Sequence, residues 1–336
     1  MEPIKEPTPL VLVTSSPHMH CGLTIGKSMR EVMLALVPAI IASVYYFRMS
    51  AAIVMVTCVV SAIVFETICN KVMHKPNTVQ DGSAALTGLL LAMCLPASMP
   101  PLFAAMGSMF AIVVGKAVFG GLGCNIFNPA HIGRAILLAS FPQQMTNWVL
   151  PATAAASDAV STATPLAVMR ATEKIWQAGG AASAAKLPDL MNLFWGNVGG
   201  SLGETCVPAL VLGGLYLIYK KLIDWRIPVF YLVTVAILTG VYVAVMGYPS
   251  TFPLYHLFAG GLMIGAFFMA TDWVTSPITK KGKIIYAIGL GVLTSLIRLR
   301  GSYTEGVCYS ILMMNMVTPM IDRFVRNVSF GGGLKK

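Results

Sequence analysis

The sequence predicts an all-α polytopic membrane protein, with about ten transmembrane helices arranged as two inverted five-helix repeats that contain short broken helices. Three observations carry this expectation. Hydrophobic residues fill 56% of the 336 positions and charged residues only 11%, where a soluble domain carries roughly 25% charged residues. Apolar runs of about 18 to 22 residues recur along the chain, the length a helix needs to cross a bilayer. Each half also runs through the same series of long spans, a short Gly-rich span and a Gly-rich turn into a last span. An odd number of spans per half forces the halves into opposite orientations, the inverted-repeat plan of transporters and channels.

Taken in order, the chain reads as an N-terminal arm (1–27), a first repeat (28–141), an extramembrane loop region (142–200), a second repeat (201–323) and a tail (324–336). The arm is mixed polar and Pro-rich, without the layout of a signal peptide. Its His18, His20 and Cys21 could form a ligand cluster, but nothing elsewhere completes one. Spans one and two run from about Arg30 to Phe47 and from Ala51 to Met73. Span three starts near Gly82 and stops at Pro96. Span four follows Pro100-Pro101, from Leu102 to Phe119. Span five runs from Ala130 to about Phe141, after the stretch Asn125-Ile-Phe-Asn-Pro-Ala-His-Ile-Gly-Arg134. Span six is about Thr205 to Tyr219, span seven Pro228 to Met246 and span eight Leu257 to Trp273. Spans nine and ten are about Ile284 to Leu299 and Gly306 to Ile321.

The net charge of +10 comes from basic residues beside the ends of apolar runs, where they orient a membrane protein rather than bind nucleic acid. With ten spans, Lys71/Lys75, Lys220/Lys221/Arg226, Lys280/Lys281/Lys283 and the C-terminus fall on one side, which the positive-inside rule makes cytoplasmic. Both termini are then cytoplasmic and the 142–200 loop is outside. Arg298 and Arg300 fall near the outer face against the rule, so they read as functional or as partners of Glu305. The 7 cysteines are scattered singly, which argues against a zinc or iron–sulfur site on this chain.

Between the halves lies Asp158-Ala-Val-Ser-Thr-Ala-Thr-Pro-Leu166, a turn without apolar periodicity that carries the hydroxyls of Ser161, Thr162 and Thr164. Composition alone reads it as a surface loop. Together with the 125–134 stretch and Met269-Ala-Thr-Asp-Trp-Val-Thr-Ser-Pro277, however, it resembles the D-type subunit of the Rnf complex, the ion-translocating ferredoxin:NAD oxidoreductase. It is also similar to the B-type subunit of the sodium-translocating NADH:quinone reductase, which has a longer N-terminal arm. The resemblance covers nearly the whole chain. It implies that FMN is joined by a phosphoester to the last Thr of an Asp-x-x-(Ser/Thr)-Gly-Ala-Thr motif, installed by a flavin transferase of the ApbE type. Asp158, Ser161, Ala163 and Thr164 occupy the matching positions, and Thr162 stands where the motif has Gly. The resemblance further implies electron relay to a neighbouring subunit that also carries covalent FMN. A second, noncovalent flavin (riboflavin or FMN), a bacterial inner-membrane location and coupling to Na⁺ or H⁺ belong to the same implication. No NAD fingerprint is present, so nicotinamide chemistry falls to a partner.

Other residues have two readings each. Asn128, His131 and Arg134 lie at a Pro-broken helix start that could hold a flavin phosphate, or Arg134 snorkels. Asp272 and Thr275 are ion-pathway candidates, or Asp272 caps a turn. Glu66 and Lys116 are ion-pathway candidates too, or pair with each other. Two rival functions remain at this level: a channel or transporter for a small solute, which has no use for the Thr164 turn, and a bare membrane scaffold.

Overall fold

The chain's structure is a computed structural model that describes residues 24–151, 163–177, 187–204, 206–301 and 305–326. Asp158, Ser161, Thr162 and the His18/His20/Cys21 trio lie outside the described residues.

Among the described residues the architecture is helical, with one isolated antiparallel bridge, Pro96 to Ser201. The helices of the first half are α1 (Ile25–Val72), α2 (Ser83–Met93), α3 (Pro101–Ile112, continued by a wide π-turn over Val113–Ala117), α4 (Pro129–Ser140) and the single turn α5 (Pro142–Met145). The connecting region holds α6 (Pro165–Gln177) and α7 (Leu190–Trp195). The second half holds α8 (Val207–Tyr219), α9 (Arg226–Met246), α10 (Phe252–Phe258), α11 (Leu262–Ile264, continued by a π-turn over Gly265–Met269), α12 (Lys280–Arg300) and α13 (Val307–Phe324).

Spans one and two join directly in α1. Its 48 residues would reach about 72 Å if straight, more than twice the ~30 Å hydrocarbon core. Arg48, at φ 52° and ψ −133°, breaks it. The two limbs run back to back, because both ends meet the same segment. Gly26 lies against the Asp81 backbone, while Glu66 accepts from Thr78 at 2.8 Å. Gly88 of α2 fits tightly against this hairpin: a Cβ there would stand 2.5 Å from Cys58 O.

Each of the ten expected spans coincides with helix, but their lengths differ sharply. α9 and α12, at 21 residues each, are about 31 Å long and match the bilayer core. On α9, Val229, Val233, Ile237, Val241 and Val245 are exposed, while Tyr231, Val235, Thr239 and Val243 are buried. A helix that is apolar on its outward face as well as its inward one is made for lipid. By contrast α2 has 11 residues and α8 has 13, about half to two-thirds of the core thickness. Span eight, expected as one helix from Leu257 to Trp273, is instead two. It starts earlier, at Phe252, and bends by 61° between Phe258 and Leu262, with Gly260 at φ +71°.

The short helices end in the interior. The backbone after α2 meets the backbone before α8, where Leu202 N donates to Leu95 O at 3.0 Å. Leu95, Ser201 and Leu202 are all buried. Gly203 stands against Met93 O and Ile264, so the ends of α2, α8 and α11 converge on one point.

Candidate functional site

Thr164 is the N-terminal cap of α6. Its Oγ1 accepts from Ala167 N at 3.2 Å, the hydroxyl-to-backbone bond that satisfies one of a helix's orphan N–H groups. Pro165 follows at the first helical position, where its fixed φ suits a helix start. Ala163 is exposed and Thr164 is only 9% exposed. The helix is docked by an apolar patch in which Leu166 and Met169 meet Leu193, Phe252 and Tyr255. Arg170 ties it to α12 by donating to Gly301 O.

Immediately beneath this turn, a cavity of about 10 Å³ is walled by Pro165, Gly200, Glu204, Phe258 and Gly260, among others. That is about the space of one water. It opens onto the break in span eight. Arg298 donates to His256 O and, at 3.1 Å, to Ala259 O, so a guanidinium closes the C-terminal end of α10. Glu305 accepts from Gly261 N at 3.2 Å and from both terminal nitrogens, Nη1 and Nη2, of Arg134. Glu204 reaches the same place. A Cβ on Gly261 would stand 2.6 Å from Glu305 Oε1 and 3.8 Å from Glu204 Oε1. Two carboxylates and two guanidiniums from distant parts of the chain therefore gather where a broken helix and two short helices end. The network is not closed. Arg134 Nε, Arg298 Nε and both ring nitrogens of His131 and His256 are buried without a hydrogen-bond partner among the described residues.

The structure thus assigns the expected residues different tasks. Arg134 is committed to Glu305 rather than to solvent or an open phosphate site. That also corrects the expected partnership of Glu305 with Arg298 or Arg300, because Arg298 is spent on backbone carbonyls. Asn128 caps α4, accepting from Ala130 N at 3.0 Å, and donates to Met269 O at 3.2 Å. His131 is 1% exposed, one helical turn before Arg134. None of these three lines either of the described cavities. Asp272 accepts from Thr275 Oγ1 at 3.1 Å in a turn where Ser276 N returns to Asp272 O. Glu66 and Lys116 form a buried pair at 2.7 Å. Glu204, Arg298 and His256 complete the network without having stood out as a group in the sequence. Of the three only Arg298 carried a signal in the sequence, as a cation lying against the positive-inside rule.

The α6 helix also carries Glu173. Burial pushes its carboxyl up to about 7, against the opposing charge of Arg170.

Fold and site together define a helical, multi-pass membrane protein whose broken helices enclose a charge network beneath a hydroxyl-bearing turn. The family profile described as "NQR2, RnfD, RnfE family" matches residues 12–331, and the chain belongs to that family. It is 51% identical over 322 residues to the D-type subunit of the proton-translocating ferredoxin:NAD(+) oxidoreductase complex of Clostridium ljungdahlii, covering 95% of this chain and 96% of the relative. It is 45% identical to the D-type subunit of the Na(+)-translocating ferredoxin:NAD(+) oxidoreductase complex of Acetobacterium woodii, covering 95% of each. It is 38% identical to the D-type subunit of the ion-translocating oxidoreductase complex of Stutzerimonas stutzeri, covering 92% of each.

Proposed function

We propose that this chain is the D-type subunit of an ion-translocating ferredoxin:NAD⁺ oxidoreductase complex, and that it relays electrons through FMN esterified to Thr164. The relatives' names, each that of a component of an oxidoreductase complex, disfavour a solute channel. The single observation that supports the attachment is the position of the Thr164 hydroxyl at the N-terminus of a 13-residue helix. Backbone N–H groups and the helix dipole favour the negative charge of a phosphoester there. The donor set therefore fits the group.

When bound, FMN supplies one- and two-electron transfer. The chain's own residues do the rest. Leu166, Met169, Leu193, Phe252 and Tyr255 fix α6 and exclude water from its inner side. Glu204 and the Arg134–Glu305 pair supply charge beneath the turn that can respond to charge arriving above it. Asp158, Ser161 and Ala163 stand with Thr164 at the motif positions that an ApbE-type transferase reads, with Thr162 in place of the motif's Gly, and a neighbouring subunit with its own FMN exchanges electrons. Nicotinamide and ferredoxin chemistry fall to other subunits.

The outward orientation of Thr164 rests on charge. Arg226 opens α9 at the end with the basic loops, while α6 docks at the far end, where the tilted rings of Trp176 and Tyr248 pack with centroids 4.7 Å apart. A 21-residue helix separates these ends by about 31 Å, and the positive-inside rule makes the basic end cytoplasmic. The ion is Na⁺ or H⁺; relatives with 51% and 45% identity carry the two different ions in their names.

The test is the intact mass of the chain, purified after co-expression with a flavin transferase, beside Thr164→Ala. One added FMN phosphoester, retained in Thr164→Ser and absent in Thr164→Ala, is the expected result. An unmodified wild-type chain in the presence of an active transferase overturns the attachment.

A further inference from the structure

At the opposite end of the bundle, a cavity of about 340 Å³ lies between the α8–α9 turn and the segment joining α11 to α12. Its wall includes Lys221, Asp224, Trp225, Arg226, Trp273 and Lys283. Three cations face one acid. Asp224 is shared, with Arg226 Nη1 at 3.1 Å from both of its oxygens and Lys283 Nζ at 3.3 Å. Burial opposes its ionisation, but the Arg226 backbone N–H and the Lys283 ammonium hold its carboxyl below the usual range. Asp224 is therefore ionised at neutral pH and offsets one cation. Lys221, held at φ 58°, forms no ion pair among the described residues. The cavity keeps a surplus of about two positive charges.

Its rim is suited to a membrane surface. Trp225 and Trp273 are both half-exposed, the amphipathic side chain that settles at the headgroup layer. Trp273 is fixed by donating Nε1 to Leu222 O at 2.6 Å, and Trp225 carries the Arg226 guanidinium 5.2 Å from its ring. Exposed apolar residues form a track along α8 (Leu212, Leu215, Tyr219) and a second along α9 (Val229, Val233), the two helices joined by the turn that lines the cavity. A polar, cationic chamber at the turn between two apolar tracks has the chemistry of a phosphodiester with hydrocarbon chains attached.

We propose that this cavity binds the headgroup phosphate of one anionic phospholipid, with Lys221, Arg226 and Lys283 around the phosphate, Trp225 and Trp273 at its sides, and the acyl chains along α8 and α9. Asp224 bridges Arg226 and Lys283 and so fixes both cations on one wall of the chamber. A free phosphate ion satisfies the cations but leaves the track bare, which is what separates the two sources.

The experiment is native mass spectrometry of the full chain, purified with its partner subunits, delipidated and titrated with phosphatidylglycerol, phosphatidylcholine or inorganic phosphate. One phosphatidylglycerol should be retained per complex at this site, in preference to phosphatidylcholine. Each lost cation should weaken it about fivefold, so the Lys221→Gln/Lys283→Gln variant binds about 25-fold less tightly. Lys221→Arg, which keeps the charge, should bind as wild type and shows that the loss is not a folding defect. The proposal is overturned if phosphatidylcholine binds equally, if the double variant retains the lipid, if inorganic phosphate displaces it at equal concentration, or if the delipidated protein releases a yellow chromophore from this cavity instead of a lipid.

Discussion

The Glu66–Lys116 pair and the Arg134–Glu305 pair both bridge helices in the interior, yet they are finished differently. Lys116 Nζ meets both Glu66 oxygens, at 2.7 and 2.9 Å, and takes Ser83 Oγ at 2.6 Å. Thr78 completes Glu66. The pair is held by partners on α1, the α1–α2 connection, α2 and the π-turn after α3. At the span-eight break a second carboxylate, Glu204, approaches without a cation bonded to it, two guanidinium Nε atoms go unused, and two glycines leave room around the charges. A closed pair holds helices in place. An open network can change its charge at small structural cost, and it is the open one that lies below Thr164.

The largest effect expected from this contrast is at the closed pair. Glu66→Gln leaves the Lys116 ammonium buried without its counter-charge and should destabilise the solubilised protein by ~3–5 kcal/mol, read as a lowered thermal midpoint. Glu66→Leu with Lys116→Met should recover most of the loss. A single variant as stable as wild type would mean that the pair is not buried as described.

Next comes the glycine that makes room in the open network. Gly261→Ala drives a Cβ to within 2.6 Å of Glu305 Oε1, so Glu305 must leave the Gly261 N–H or Arg134 must shift. A cost of ~1–3 kcal/mol is expected. Restoration by Glu305→Asp, one methylene shorter, distinguishes this clash from a general intolerance of span eight.

Much of this was legible in the sequence. Arg48 and Met49 between two apolar runs mark where the α1 hairpin turns, and Pro96, Pro100 and Pro101 mark the short helix α2. An acid and a base in separate apolar runs raise the Glu66–Lys116 pairing directly. The bend in span eight was not legible, since Gly260-Gly261 is tolerable inside a helix and the bend is held by Arg298 and Glu305, 39 to 44 positions away. For the same reason Arg134 could not be matched to Glu305, 171 positions on. Local pattern reports which segments are apolar and where they stop. It does not report which of several buried charges will face one another.

Above the open network, Glu173 adds a pH dependence of its own. Its folded carboxyl titrates near 7, against an ordinary value of 4.5. An acid whose folded value is raised disfavours the fold once it ionises, so the docking of α6 should weaken as pH rises from about 4.5 to about 7 and stay level above. About 1 kcal/mol is expected after allowance for partial exposure. Hydrogen exchange of α6 at pH 5 and pH 8, corrected for intrinsic rates, should show faster opening at pH 8, and Glu173→Gln should remove the difference. Equal opening in the wild type would place Glu173 in an ordinary solvated setting.

The smallest effect is the most informative for the comparison. Glu204→Gln is the same chemical change as Glu66→Gln, made in the other network. Glu204 has no ion pair among the described residues, stands near Glu305, and draws hydrogen bonds from the Ser201 side chain and backbone N–H, which an amide oxygen can also accept. Removing its charge relieves a like-charge contact and strips no cation of its partner, since Arg134 remains bound to Glu305. Stability should be unchanged or raised by up to ~1 kcal/mol, where Glu66→Gln loses several. On the relay proposed for Thr164, ion-coupled electron transfer in the assembled complex should nonetheless fall, because a neutral amide carries no charge and takes up no proton beneath the turn. If Glu204→Gln destabilised the protein as much as Glu66→Gln, the network at the span-eight break would be a second closed clamp. Charge beneath Thr164 would then be locked in place and could not follow charge arriving above it.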